Sequence, residues 1–585
     1  MIRLAVALVV ALSVSIASAA ERPNVLVILS DDQGMGDFSC HGNPILKTPN
    51  LDQLHRESIR FTDFHVAPMC TPTRGQLLTG LDALHSGASS VCAGRSFIRR
   101  GTPMMPEIFR SAGYKTGLFG KWHLGDSYPN LPHQRGFDDA VYHLGWGITS
   151  MADTWRNDCF DGKYFHNGKL GKYPGYCTDV WFDLAMNYMR AQREAGKPFF
   201  VYLPTNAPNG PHWVDDRYKR PYADEGTAPF FGMIANLDEN MGRLNAFLRE
   251  SGLYENTIVI YFHDNGGTAG IKTFDAGLRA GKTTYYDGGH RAACFFRWPK
   301  GSLGAPRNIG ELTQVQDLLP TLLDLCGLEA PLDAEGKPAK FDGTSLAGLL
   351  RETADEALQK RLAERTLVVQ YGQEPKKWDA CVMQGPWRLV HGDELFDTAT
   401  DRAQKTNVAA EHPEKIAVLR EHYERWWAGV EPKLDDFSPI SLGAPQENPV
   451  TLTAADWANV YCDNMKNLRE GLNRNSVWHV LVEQAGDYEI ELRRWPREAD
   501  APIAGGVPPF QAFDGGLPTG VALPIVKARL AIGEGFDESR AVTADDKSIT
   551  FTTKLAAGKT TMQSWFYGAD GKQLSGAYFA YVTKK

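Results

Sequence analysis

NVLVILSDDQG, residues 24–34, is an unbroken apolar run that stops at a serine, two aspartates and a glycine. Such a run reads as a strand buried on both faces, with its polar groups at its C-terminal end. A strand hidden on both sides needs covering layers, so strands and helices should alternate around it. The flanking sequence has that texture. MMPEIFRSAGYKTGLFGKWH (104–123) reads as helix, glycine turn and strand. KPFFVYLPTNAP (197–208), NTIVIYFHDNGG (256–267) and AACFFRWP (292–299) read as further buried strands. MIANLDENMGRLNAFLRESG (233–252) carries apolar residues at helical spacing with Gly252 as a stop. VQDLLPTLLDLCG (315–327) is a second such helix. The expected class is α/β, a mostly parallel sheet flanked by helices. Ligands of such sheets sit outside the carboxyl ends of the strands.

The chain has 585 residues, more than one ordinary domain holds. After about residue 430 the texture changes. VEPKLDDFSPISLGAPQENPV (430–450) is rich in proline and turn formers. Beyond it SVWHVLVE, DYEIELRRW, SITFTTKL and GAYFAYVT alternate like half-buried antiparallel strands. The expected division is a main domain over 21–432, with a core to about 350 and a smaller C-terminal subdomain over 351–432. A linker over 433–450 and a β-rich accessory domain over 451–585 follow.

Residues 1–20 have a positive Arg3, an apolar run and a small-residue cleavage site after Ala19 or Ala20. This reads as a signal peptide, so the mature protein is expected to be secreted or periplasmic. No later run reaches the ~20 apolar residues of a transmembrane segment. The net charge of −8 points to no nucleic-acid partner. Nine cysteines fit an oxidising compartment, and Cys159 and Cys177 are close enough in sequence to pair. The odd count leaves at least one unpaired.

Asp31 and Asp32 at a strand end repel each other. Alone they read more readily as a solvated turn or a helix cap. Asp264 and Asn265 in HDNGG (263–267) follow a second buried strand, and the two clusters together point to an oxygen-ligated cation, Ca²⁺ or Mg²⁺ rather than zinc. GKWHLG places Lys121 and His123 after a strand, sharing one face. His212 stands in a proline-rich loop, and Lys282 and His290 in GKTTYYDGGHR. Each alone is an ordinary packing or solvated residue. With Arg74 they surround the metal with cations and suit a tetrahedral oxyanion.

Cys70-Thr71-Pro72-Thr73-Arg74, followed by Gly75 and LLTG, resembles the signature of the type I sulfatases, members of the alkaline phosphatase superfamily. The likeness spans about residues 22–430. SDDQG, CTPTRG, GKWHLG, GPH, HDNGG, GK…DGGHR and ELFDTATD occur in family order. Thr73 departs from the more frequent serine but keeps the hydroxyl. The resemblance implies an alkaline-phosphatase-like fold and oxidation of Cys70 to formylglycine by a formylglycine-generating or anaerobic sulfatase-maturating enzyme. It implies one Ca²⁺ per chain, with Mg²⁺ the alternative, held by Asp31, Asp32, Cys70, Asp264 and Asn265. The hydrated aldehyde attacks sulfur, with Asp264 as base. Arg74, Lys121 and His123 clamp sulfate and diol, and His123 takes a proton from the second hydroxyl to expel sulfate. His212 and Lys282 stabilise and protonate the leaving oxygen.

For the substrate, Trp146, Trp155 and Arg156 lie in an aromatic insertion that either stacks on a sugar or packs the loop. His290 and Arg291 are weaker substrate candidates. Export, insertion and added domain favour a sulfated carbohydrate and polysaccharide degradation. A phosphodiester or phosphonate monoester hydrolase on the same scaffold, and a non-catalytic sulfated-glycan binder, stay open as alternatives.

Overall fold

The computed structural model describes residues 22–333 and 336–585, so the expected signal peptide lies outside the described residues. Eleven strands form one sheet: β1 (Asn24–Asp31), β2 (Ile59–His65), β3 (Lys115–Lys121), β4 (Asp139–His143), β5 (Lys163–His166), β6 (Lys169–Lys172), β7 (Phe199–Pro208), β8 (Thr257–His263), β9 (Arg291–Arg297), β10 (Asn308–Ile309) and β11 (Thr313–Gln314). Their order is β10-β2-β9-β8-β1-β7-β3-β4-β5-β6, with β11 beside β2. The central strands β8, β1, β7, β3 and β4 run parallel. The sheet is nevertheless mixed, because β9 runs antiparallel to both β2 and β8, and the β5–β6 hairpin antiparallel to β4. Asn167-Gly168 explains the hairpin: both residues have positive φ, 47° and 84°, as a tight two-residue turn requires.

β1 sits centrally, as its unbroken apolar run requires. Val25, Val27 and Leu29 pack on one face with the Cys70–Thr79, Met105–Ser111 and Leu318–Cys326 helices. Leu26 and Ile28 pack on the other with the Pro49–Glu57, Cys177–Glu194 and Ala228–Glu250 helices.

A four-stranded antiparallel sheet over residues 367–397 follows. Leu419, Tyr423 and Trp427 of the Pro413–Val430 helix cover it. The last part of the chain is built around a six-stranded and a four-stranded sheet, with Trp457, Trp478 and Trp495 in its core. Residues 433–450 are not only a connection. Ile440–Leu442 is a strand of the six-stranded sheet, parallel to Trp478–Val482. Cys159 and Cys177 are neighbours, with Cys177 N donating to Cys159 O at 2.8 Å, but both are free thiols.

Candidate active site

The carboxyl ends of the central strands gather the polar residues. β1 and β8 are paired in register at Ser30 and His263, so the tails that follow leave the sheet side by side. Asp32 takes the left-handed region, φ 71°, as does His123 at 58°. Non-glycine residues there are uncommon, and such strain concentrates at functional sites. The glycines of DDQG and HDNGG let the two loops touch. A Cβ on Gly34 would stand 2.5 Å from the Cα of Gly267.

Cys70 is the first residue of its helix, Cys70–Thr79, and all ten helix residues are buried. The helix N-terminus therefore presents its free amides at the site, where an anion is favoured. One ligand atom from each of Asp31, Asp32, Cys70 and Asp264 lies within 4.8 Å of the others. Cys70 Sγ is 3.5 Å from Asp31 Oδ1 and 3.5 Å from Lys282 Nζ.

Cations face each carboxylate. Lys121, the last residue of β3 rather than one beyond it, donates from Nζ to Asp31 Oδ2 at 2.6 Å. Arg74 Nη2 donates to Asp264 Oδ2 at 2.8 Å, and Lys282 pairs with Asp32. Asn265 Nδ2 donates to Asp32 Oδ1 at 3.0 Å, while its Oδ1 is buried without a hydrogen-bond partner. Three buried carboxylates beside an unsatisfied amide oxygen are a hard, all-oxygen donor set of the kind that Ca²⁺ or Mg²⁺ takes.

The electrostatics divide the carboxylates. Burial opposes ionisation of Asp31, but Lys121, Arg74 and Lys282 hold it well below the usual range. Burial and the charge of Asp31 push Asp264 up to about 7, against Arg74 and Lys121. Two acids sharing one site behave this way. Burial pushes the Cys70 thiol to about 12, although Lys121 and Lys282 favour the thiolate. Burial also works against the Lys282 ammonium, but Asp32 and its acidic neighbours keep it firmly protonated.

His123 Nε2 lies 3.0 Å from Val91 O, which can only accept, so Nε2 carries the proton. Nδ1 is then an acceptor, buried and without a partner. Burial, Lys121 and Arg74 keep this ring neutral. His212 is half-buried, its ring 5.5 Å from that of Phe230. Burial lowers its pKa and the charge of Asp32 raises it, which sets the ring within electrostatic reach of the cradle.

The other sequence candidates lie elsewhere. His290 is fully buried, with Nδ1 2.9 Å from His65 Nδ1 and Nε2 3.1 Å from Tyr285 O. Arg291 pairs with Asp63 at 3.1 Å and with Asp287 at 3.0 Å. Both belong to an internal charge network, so the structure does not offer them to a substrate. Trp155 packs against Trp495 and Arg469, and Arg156 lies over Phe510. Trp146 Nε1 donates to Asp463 O at 2.8 Å. The insertion thus packs on the C-terminal unit, the plainer of its two readings.

Sequence reasoning missed His143. It ends β4, paired in register with Lys121, and its Nε2 is buried without a partner. The charges of Lys121, Asp31 and Arg74 act on it, and burial lowers its pKa to about 3. VYHLG carries no motif; only the strand register brings this histidine to the site.

The sulfatase family profile matches residues 23–328. N-acetylgalactosamine-6-sulfatase of Canis lupus familiaris is 30% identical over 342 residues, which cover 54% of this chain and 65% of that protein. The match therefore spans just under two thirds of that relative. Arylsulfatase A of Homo sapiens is 32% identical over 378 residues, 58% of this chain and 70% of that protein. Among solved structures, Ps i-CgsB bound to k-i-k-neocarrahexaose superposes with a TM-score of 0.61 at 24% identity, covering 71% of this chain and 94% of that one. That likeness concerns the fold. With the profile on more than half the chain and arylsulfatase A above 30% identity, the chain belongs to the sulfatase family of the alkaline phosphatase superfamily.

Proposed function

We propose that this protein hydrolyses sulfate esters of carbohydrates, with an oxidised Cys70 as nucleophile beside one Ca²⁺ or Mg²⁺. The observation that carries this reading is the meeting of Cys70 with three carboxylates and three fixed cations at a buried helix N-terminus. Burial holds the Cys70 thiol protonated, so the unmodified side chain is a poor nucleophile, in keeping with the formylglycine form.

Asp31, Asp32, Asp264 and Asn265 would hold the cation, whose charge would neutralise sulfate oxygens and lower the pKa of the attacking hydroxyl. Arg74 and Lys121 supply fixed positive charge where the sulfate sits. Asp264 accepts the proton of the attacking hydroxyl. His123 presents Nδ1 as acceptor to a second hydroxyl at position 70, the proton whose loss lets sulfate depart. Lys282 steadies the leaving oxygen as a fixed charge, and His212 delivers the proton to it. The sulfatase unit is residues 21–432, the accessory unit is residues 451–585 together with the Ile440–Leu442 strand, and export through residues 1–20 gives a secreted or periplasmic enzyme. Among the described residues no helix is long and apolar enough to cross a membrane.

The test is sulfate release from a panel of sulfated oligosaccharides run beside a phosphodiester, with the mass of the Cys70 peptide measured on the same sample. Sulfate release with an aldehyde at position 70 is expected. Phosphate release alone assigns the chain to phosphodiester or phosphonate chemistry. An unconverted cysteine with binding but no turnover makes it a glycan binder.

A further inference from the structure

A second set of metal-ligating side chains stands apart from the cradle. Cys40 and His41 belong to the Ser39–His41 turn, and His55 to the Pro49–Glu57 helix. One ligand atom from each lies within 4.8 Å of the others. All three are half-buried, and among the described residues Cys40 is the one cysteine that is not fully buried. Asp52 locks the turn to the helix: its Oδ1 accepts from Cys40 N at 2.9 Å and its Oδ2 from Ser39 Oγ at 2.7 Å.

The two rings are set as ligands are. His41 Nδ1 lies 2.8 Å from Met35 O, which can only accept, so Nδ1 carries the proton and Nε2 keeps its lone pair. A backbone carbonyl on the far nitrogen is the usual way a metal-bound imidazole is oriented. Among the described residues neither ring nitrogen of His55 has a hydrogen-bond partner. The His41 and His55 rings stand 5.8 Å apart at 78°, both edge-on to Phe295. Access is open, because both histidines line a cleft of about 360 Å³ over β2 and β9, with Arg60 and Arg402 at its sides. No cradle residue lines that cleft.

We propose that Cys40 Sγ, His41 Nε2 and a ring nitrogen of His55 hold one Zn²⁺ ion, with the fourth position left to water from the cleft. One thiolate and two imidazoles are a borderline-soft set that takes zinc and leaves Ca²⁺ and Mg²⁺ to the all-oxygen cradle. Burial and the Asp52 carboxylate hold the Cys40 thiol protonated. A cation favours the thiolate, and the thiol proton goes to solvent as the sulfur–zinc bond forms. The ion braces the segment that runs from the cradle carboxylates to the Pro49–Glu57 helix. None of this depends on the sulfate-ester reading.

The test titrates the protein with ZnCl₂, and in parallel with CoCl₂ as a coloured stand-in, in excess Ca²⁺ and with thiols kept reduced by a phosphine. One Zn²⁺ per chain is expected, a rise in melting temperature as zinc is added, and a thiolate-to-cobalt charge-transfer band. Outer-shell partners alone are worth about 10- to 100-fold in metal affinity, so a lost ligand should cost about 100-fold or more. Cys40→Ser should lose the band and that affinity. His55→Gln should lose the affinity, and if either variant fails to fold the other carries the comparison. Cys70→Ala should keep both band and affinity. No zinc uptake in the presence of Ca²⁺ overturns the proposal and leaves the three side chains as packing on Phe295. Undiminished affinity in Cys40→Ser or His55→Gln, or a band lost in Cys70→Ala instead, overturns it too.

Discussion

Cys70 is the least reactive form a nucleophile can take in its own site: 2% exposed, protonated, and set among carboxylates that discourage a second negative charge. On the proposed reading its chemistry comes from modification. Replacing Cys70 with Ala should cut sulfate release by about 10⁴-fold or more, because groups acting as one unit fail together. Thermal stability should barely move; a residual rate near wild type would remove Cys70 from the mechanism. His123→Ala should cost about 10²–10⁴-fold, the usual range for a positioned proton acceptor. His212 gives a signed pH prediction. Burial holds its pKa below the ordinary imidazole value despite Asp32. The protonated form is therefore lost as pH rises through a point more acidic than 6.5. The basic limb of kcat/KM for an alkyl sulfate should fall there, and should flatten for an activated aryl sulfate whose leaving group needs no proton. Equal limbs for both esters would take the proton-donor role away from His212. At this scale the sequence showed clearly which residue types mattered, since Asp, Asn, Lys, Arg and His have few other uses at buried strand ends. It was silent on His143, whose place depends on the register between two strands far from any motif.

The elements carry a second buried charge system, away from the cradle. Arg388 bonds Asp63 at 2.8 Å and Asp287 at 3.1 Å, and His65 Nε2 lies 2.9 Å from Asp63. Arg388 sits on the Trp387–Val390 strand, and Asp63 on β2, so this network ties the small antiparallel sheet to the edge of the large one. Burial opposes ionisation of Asp63 and Asp287, but Arg388 and its partners hold both well below the usual carboxylate range. A depressed acid stabilises the fold above its unfolded pKa of about 3.9, and that contribution drains away as pH falls below it. Melting temperature should therefore drop steeply on acidification below about pH 4. Arg388→Met should cost about 3–5 kcal/mol at neutral pH by stranding two carboxylates, measured by denaturant unfolding. A loss under about 1 kcal/mol would mean that water reaches these acids. His290 and Arg291 belong to this same network, which is why a motif-adjacent pair that looked like substrate contacts faces inward. The buried parallel strands were legible because double burial forces continuous apolar runs. The strands toward the two margins of the sheet were not, because β2 and the β5–β6 hairpin mix polar and apolar residues as half-covered strands do.

For the whole molecule the informative boundary is the seam where residues 454–465 are wedged between the loops at 91–97 and 144–151. Ala93 N donates to Ala455 O at 2.7 Å and Met151 N to Asp463 O at 2.8 Å. Ala455 and Met69 pack on Val91, Cys92 and Ala93. Alternation in the last third announced a β unit, but nothing in its composition indicated where it docks, since a docking surface is set by shape and by backbone donors. Buried acids line the seam. Burial pushes Asp153 to about 7 and Asp456 well above its ordinary value. A raised acid favours the closed seam below its unfolded pKa, and that advantage is lost as pH rises through the folded value. Hydrogen exchange at Ala93 and Met151, corrected for intrinsic rates, should show more frequent opening at pH 8 than at pH 5. Equal protection at both values would mean that these acids do not govern the seam.

The wedge at 454–465 also sets a schedule. It leaves the ribosome some 385 residues after the cysteine it helps to enclose, as the numbering of Cys70 and Ala455 records. Until those last segments arrive, the wall beside Met69 has no outer half, and the nascent thiol waits in an unfinished chamber. The order of synthesis is in this sense a clock, and the wall beside Met69 is complete only once residues 454–465 have joined it.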